Sequence, residues 1–125
     1  MRKFNVGFRD TPPIEKTFDR RELEITVDEL HRRMKNGDDL FLLDVRNPDE
    51  YAFANLGGHL LPLQELPKRF GELDRKREIV VHCHTGRRSA AAVEFLYENG
   101  FQHVKNLAGG IDEWSARVDP KIPRY

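Results

Sequence analysis

Two short apolar runs constrain this chain more than anything else in its sequence: Leu40-Phe-Leu-Leu-Asp-Val45 and Ile79-Val-Val-His82. Neither alternates polar with apolar residues, as a strand with one wet face would. Such runs mark strands covered on both faces, the hallmark of a parallel sheet sandwiched between helices. The segments around them agree. Thr26-Val-Asp-Glu29 reads as a capping box in which the Thr26 hydroxyl and the Glu29 carboxylate satisfy each other's amides. The helix it opens should run to about Asn36 and end at Gly37. Asn47-Pro48-Asp-Glu50 supplies an N-cap, a proline at the first helical position and an acid at the third, so a short helix follows the first run. His59 to Leu61 reads as a brief strand, Gln64 to Phe70 as a helix ended by Gly71, and Val104 to Leu107 as a further strand. Ser89 to Asn99 is expected to be helical, with Ser89 as N-cap, Ala90, Val93, Leu96 and Tyr97 facing inward, and Gly100 as the stop. Ala108-Gly-Gly110 then turns into a last helix, Ile111 to about Val118, anchored by Trp114. Strands and helices alternating at this pitch define an α/β fold, a parallel sheet with helices on both faces.

The length allows one such unit. A chain of 125 residues with 38% hydrophobic and 34% charged residues suits a single core with a well-solvated surface. Residues 1–22 read as an N-terminal extension, an irregular arm or short strand containing Pro12-Pro13; residues 23–118 read as the domain and 119–125 as a C-terminal tail. Lysine plus arginine and aspartate plus glutamate stand at 21 each, so net charge argues for neither nucleic acid nor an anionic membrane as partner. The basic run Arg75-Lys76-Arg77 reads as solvated surface. No apolar stretch approaches the ~20 residues of a spanning helix, and the first residues lack the apolar core of a signal peptide. Cys83 is the only cysteine, so no internal disulfide can form, and an unpaired thiol fits a reducing cytoplasm.

Ligands of open parallel sheets bind beyond the carboxyl ends of the strands. Two strand ends stand out: one carries Asp44-Val-Arg46, the other His82-Cys83-His84-Thr85-Gly86-Arg87-Arg88-Ser89. Cys83 comes directly off a buried strand, and a tight loop with one glycine and two arginines separates it from the next helix. Successive amides of such a loop turn inward as an anion-binding nest, and the helix N-terminus adds positive potential. Gly86 gives the loop access to positive φ. A thiolate is stabilised in these surroundings, and Arg87 and Arg88 can hold an incoming oxyanion such as thiosulfate. A lone cysteine is otherwise a small buried hydrophobe; strand end, glycine, arginines and helix start together favour a reactive one.

With these residues in view, the chain resembles the rhodanese-like family over about Glu24 to Val118. The similarity rests on Leu42-Leu-Asp-Val-Arg46, Glu50-Tyr51, Gly58-His59, Cys83-x-x-Gly86-x-Arg88-Ser89, and Asn106-Leu-x-Gly-Gly110 with Trp114. The resemblance implies a central five-stranded parallel sheet and a cysteine that cycles between thiol and persulfide. It makes Cys83 the nucleophile and the amides of His84 to Arg88 the cradle. It implies a sulfurtransferase that takes sulfane sulfur from thiosulfate or a persulfide and gives it to a thiophilic acceptor, cyanide in vitro. Asp44 is expected to order the loop by hydrogen bonding rather than to act as a base, and Arg46 to form part of the pocket wall. No cofactor or metal is implied. Ala54-Asn-Leu-Gly-Gly-His59 and the tail from Trp114 through Val118-Asp-Pro-x-x-Pro-x-Tyr125 further resemble the C-terminal rhodanese domain of molybdopterin-synthase and thiamine-type activating enzymes. Those domains pass sulfur to a ubiquitin-like carrier, but this chain has no G-x-G-x-x-G and no room for an adenylating domain.

Three rivals are weaker. A phosphatase or arsenate reductase needs His-Cys-x5-Arg, and position 89 is serine; Arg88 arrives one residue early, too soon to wrap a tetrahedral phosphate comfortably. A metal site at His82, Cys83 and His84 would need consecutive residues to converge on one ion. A non-catalytic interaction module would retain no need for the cysteine and its loop.

Overall fold

The computed structural model describes residues 20–125; the expected N-terminal arm falls largely on residues 1–19, which lie outside them. Five parallel strands form one sheet: β1 (Glu24–Ile25), β2 (Leu40–Asp44), β3 (His59–Leu60), β4 (Glu78–His82) and β5 (Val104–Leu107), in the order β1-β5-β4-β2-β3. Five α-helices join them: α1 (Val27–Lys35), α2 (Pro48–Phe53), α3 (Leu66–Arg69), α4 (Arg87–Glu98) and α5 (Gly110–Arg117). Residue patterns located four of the strands; β1, only two residues long, had no pattern of its own and came only with the family resemblance.

The pleat sorts the strand residues to two cores. Leu43, Ile79, Val81, Cys83 and Val104 pack with Leu66 of α3 and Ala92, Val93 and Leu96 of α4. Leu40, Leu42, Val80 and Leu107 face the other way, against Val27 and Leu30 of α1 and Trp114 of α5. This is why the runs in β2 and β4 do not alternate: both of their faces are covered. From β2 the chain moves outward to β3, and from β4 it moves outward the opposite way to β5. The carboxyl ends of β2 and β4 therefore flank a topological switch point, where open sheets leave a crevice.

Several local expectations need correction. Thr26 Oγ1 accepts from the Glu29 amide (3.1 Å), but the Glu29 carboxylate lies toward Arg32 (4.0 Å) rather than closing the box. The reciprocal bond appears instead at α2, where the Asn47 amide donates to Glu50 Oε1 (3.0 Å). The segment expected as one helix to Phe70 is a 3₁₀ turn at Leu63–Glu65, a single turn of α3 and a second 3₁₀ turn at Phe70–Glu72, so Gly71 lies inside the last turn and ends nothing. Pro67 removes an amide that a longer helix would need. Helix α4 starts two residues before Ser89, capped by Gly86, and its buried face is Ser89, Ala92, Val93 and Leu96, with Ala90 and Tyr97 only half-buried.

Residues 119–125 are a docked strap rather than a loose tail. Ile122 packs against the Trp114 core, its carbonyl accepts from Ser115 Oγ (2.5 Å), and Arg124 pairs with Asp112 of α5 through both its Nε and Nη2 (2.9 and 3.0 Å). The strap carries Tyr125 to the end of β2. There Asp44 and Arg46 are both fully buried and joined by two side-chain bonds (2.9 and 2.7 Å); the remaining Arg46 donors reach the Ala54 carbonyl (2.7 Å), the Tyr125 hydroxyl (2.9 Å) and the Glu50 carbonyl (3.5 Å). Burial opposes the Arg46 charge, but the bonds from Asp44 and Tyr125 outweigh it and raise its pKa. Removing one partner of such a pair strands a buried charge. Asp44→Asn is accordingly expected to destabilise the fold by about 3–5 kcal/mol in urea unfolding.

Candidate functional site

The loop from Cys83 to Gly86 sits at the switch point and is held from two sides. On the outer side, the first amides of α5 take its carbonyls: Ile111 N donates to Cys83 O and Asp112 N to His84 O, both at 3.0 Å. This contact needs glycine at 110. A Cβ there would stand 2.5–2.6 Å from the His84 and Cys83 carbonyl oxygens, on a backbone with φ of +62°. On the inner side, the first amides of α4 point at the sulfur. Gly86 N lies 3.1 Å and Ser89 N 3.3 Å from Cys83 Sγ. Gly86, with φ of +109°, makes the turn that brings them there.

Sulfur thus does for α4 what an N-cap oxygen does elsewhere, and it occupies the positive end of a twelve-residue helix. Ser89 is the third residue of α4, not its cap, and its side chain turns inward. Ser89 Oγ lies 3.3 Å from Sγ and 2.5 Å from Asn106 Oδ1 on β5. Asn106 Nδ2 donates to Gly86 O (3.2 Å), which fixes its oxygen toward the serine. The single hydroxyl proton serves Asn106 or sulfur, and a charged sulfur competes for it.

Cys83 is buried to 1% exposure at the floor of an open cleft of about 490 Å³ lined by Leu63, His84, Thr85, Arg87, Arg88 and Ala91. Every loop residue singled out from the sequence therefore belongs to this place, with Gly86 and Ser89 behind the sulfur rather than on the cleft wall. The two arginines differ. Arg88 makes a forked pair with Glu50 of α2 (2.8 Å in both arms), whereas Arg87 is exposed and has no ion-pair partner among the described residues. The bond from Arg88, against an opposing effect of burial, holds the Glu50 pKa down to about 2.

Asp44 and Arg46 stand apart from the cleft. Arg46, expected in the pocket wall, is fully buried and spent on Asp44, Ala54 and Tyr125. Asp44 does order a loop, but the bonds from its carboxylate go to the Arg46 amide and side chain, not to residues 83–89. Three residues not singled out for the site take part in holding it: Asn106, Glu50 and Tyr125. Asn106 had a signal, its place in the Asn106-Leu-x-Gly-Gly110 motif that carries the family resemblance. Glu50 read as a capping acid and as part of a family motif, and Tyr125 as part of a tail motif, but neither was placed at the site; the Tyr125 ring stacks on His84 (4.0 Å between centroids, 11° between planes) only because the strap folds back.

The matches to known proteins agree with this geometry. The model of the Rhodanese-like domain family matches residues 26–117, and the chain belongs to that family. A protein named Sulfurtransferase from Allochromatium vinosum is 36% identical over 100 residues, which cover 79% of this chain and 94% of that one. Adenylyltransferase and sulfurtransferase UBA4 of Debaryomyces hansenii is 33% identical over 83% of this chain but 26% of its own length. Several curated relatives are longer in this way, the chain spanning 26–52% of them. The crystal structure of a rhodanese-related protein from Thermoplasma volcanium superposes with a TM-score of 0.72 at 32% identity, over 82% of this chain and 98% of that one.

Two outcomes test how the site is supported. Gly110→Ala is expected to push the Cys83 and His84 carbonyls off α5, costing about 1–3 kcal/mol of backbone strain in urea unfolding. His82, next to Cys83, is buried with neither ring nitrogen hydrogen-bonded, and Asp44 Oδ2 is 3.7 Å away. Burial lowers its pKa; the Asp44 charge opposes this and Arg46 adds to it. Below about pH 6.5 the unfolded chain therefore binds a proton that the folded one refuses. Stability should fall as pH drops from about 6.5 toward 5, and His82→Leu should flatten that fall.

Proposed function

We propose that this domain is a sulfurtransferase in which Cys83 carries sulfane sulfur as a persulfide. The observation that supports it best is the placing of Sγ against the Gly86 and Ser89 amides at the α4 N-terminus. In the first half-reaction the Cys83 thiolate attacks the outer sulfur of thiosulfate. A new S–S bond forms, the old one breaks, and sulfite leaves with the bonding pair. Sulfite departs as a stable anion, so no proton donor is needed. A persulfide donor reacts the same way and releases its thiolate.

The product carries its negative charge on the terminal sulfur. The peptide units of Cys83–His84 and His84–Thr85 have their carbonyls fixed on α5, and in a trans peptide the N–H points the other way. The His84 and Thr85 amides therefore face away from α5 and are free to receive that sulfur. In the second half-reaction a thiophile, cyanide in vitro, takes the terminal sulfur and returns Cys83 to the thiolate. In the cell we take the acceptor to be a protein sulfur carrier of the ubiquitin-like kind, and the setting a reducing cytoplasm.

Intact-mass measurement after treatment with thiosulfate or a persulfide tests this. One added sulfur on the wild type, absent from Cys83→Ser and released by cyanide as thiocyanate, is the expected result. Failure to load from either donor would leave a non-catalytic interaction module as the better reading. Ser89→Ala, which removes the hydroxyl beside Sγ, should load about tenfold more slowly.

A further inference from the structure

Arg88 lines the cleft above Cys83, yet its guanidinium is already engaged. Both of its terminal nitrogens sit on the Glu50 carboxylate, and that carboxylate is itself held in place. Glu50 Oε1 accepts from the Asn47 amide (3.0 Å), and Oε2 accepts from the Tyr125 hydroxyl (2.9 Å), which in turn accepts from buried Arg46 (2.9 Å). Arg88 cannot swing onto a bound anion without breaking two charge-assisted bonds. Among the described residues lining the cleft, Arg87 is then the one cation with no carboxylate partner.

We propose that Glu50 determines which sulfur donors this site accepts: by clamping Arg88 in a neutral pair it leaves a single unmatched charge at the mouth, disfavouring the thiosulfate dianion relative to singly charged donors. This rests on the sulfur-transfer reading above. The ligand class that fits is a monoanion with a terminal sulfane sulfur, such as a persulfide anion or an organic thiosulfonate. The chemistry is balanced for either donor. Attack by the thiolate forms one S–S bond and breaks one, releasing sulfite from thiosulfate and a sulfinate from a thiosulfonate.

Thiosulfate and methanethiosulfonate isolate the effect, because both hold the transferable sulfur on a sulfonyl sulfur and they differ by one charge. The quantity to read is kcat/KM with each donor, cyanide being the acceptor. An added unit charge beside a half-exposed ligand is worth about tenfold. Glu50→Gln keeps one acceptor oxygen for the Asn47 amide, replaces the oxygen that met Tyr125 and Arg88 with an amide NH2, and so weakens its hold on Arg88. It should raise kcat/KM for thiosulfate about tenfold relative to methanethiosulfonate. Arg87→Gln, at an exposed position that does not test the fold, should shift the same ratio about tenfold the other way.

If Glu50→Gln does not fold, the Arg87 variant decides alone: with Arg88 clamped the ratio must drop, and an unchanged ratio overturns the proposal. An unchanged ratio in folded Glu50→Gln overturns it equally. Absence of any added sulfur on wild-type Cys83 from both donors would instead bring down the sulfur-transfer reading, and is told apart by mass rather than by a ratio.

Discussion

The cleft depends on two helix N-termini closing on one short loop from opposite sides. Amides at the start of α5 draw the Cys83 and His84 carbonyls outward, and amides at the start of α4 meet the sulfur. Neither grip would suffice alone. Without α5 the loop carbonyls would be free to turn inward and oppose an anion; without α4 nothing would hold the sulfur at the floor of the cleft. Orphan amides that a helix must satisfy somehow are met here by the loop carbonyls and the sulfur. The glycines follow from this arrangement, since Gly110 admits α5 to contact distance and Gly86 bends the loop into α4.

A second line of charge runs behind the loop, from the core to the cleft: Asp44, Arg46, the Tyr125 hydroxyl, Glu50 and Arg88, each bonded to the next. A buried ion pair gains little net stability over an apolar pair of the same size, because both ions must be desolvated. Its contribution here is positional. Asp44 turns the chain back at the end of β2, and Arg46 ties that turn to the Ala54 carbonyl and to the strap. The strap in turn brings an aromatic ring flat against His84.

The fold was legible where a residue pattern had a single physical cause. Covered faces on β2 and β4 required helices on both sides of the sheet, and Pro48 with Glu50 set the start of α2 to the residue. The placing of the cysteine was legible for the same reason: off a buried strand, before a glycine and a helix, its sulfur meets the amides of the helix start. What was not legible depended on contacts between distant segments. Ser89 looked like a helix cap because serine is a good one, but the turn at Gly86 starts α4 two residues earlier. Arg87 and Arg88 looked alike in sequence, and Glu50, thirty-eight positions before Arg88, separates them. The Arg46 site could not be assigned because its partner Tyr125 is seventy-nine positions away. Short strand β1 is defined by pairing with β5, not by its own composition.

Both outer strands of the sheet, β1 and β3, are only two residues long, while the inner three have four or five. A sheet edge is a template on which another chain can add a strand, and the hazard grows with its length. Here the long, apolar, doubly covered strands are all interior, and each rim offers a stretch too short to recruit a partner. The aggregation risk carried by runs such as Ile79-Val-Val is thereby confined to moments when the domain is open, so the folded protein should tolerate crowding that its unfolded chain would not.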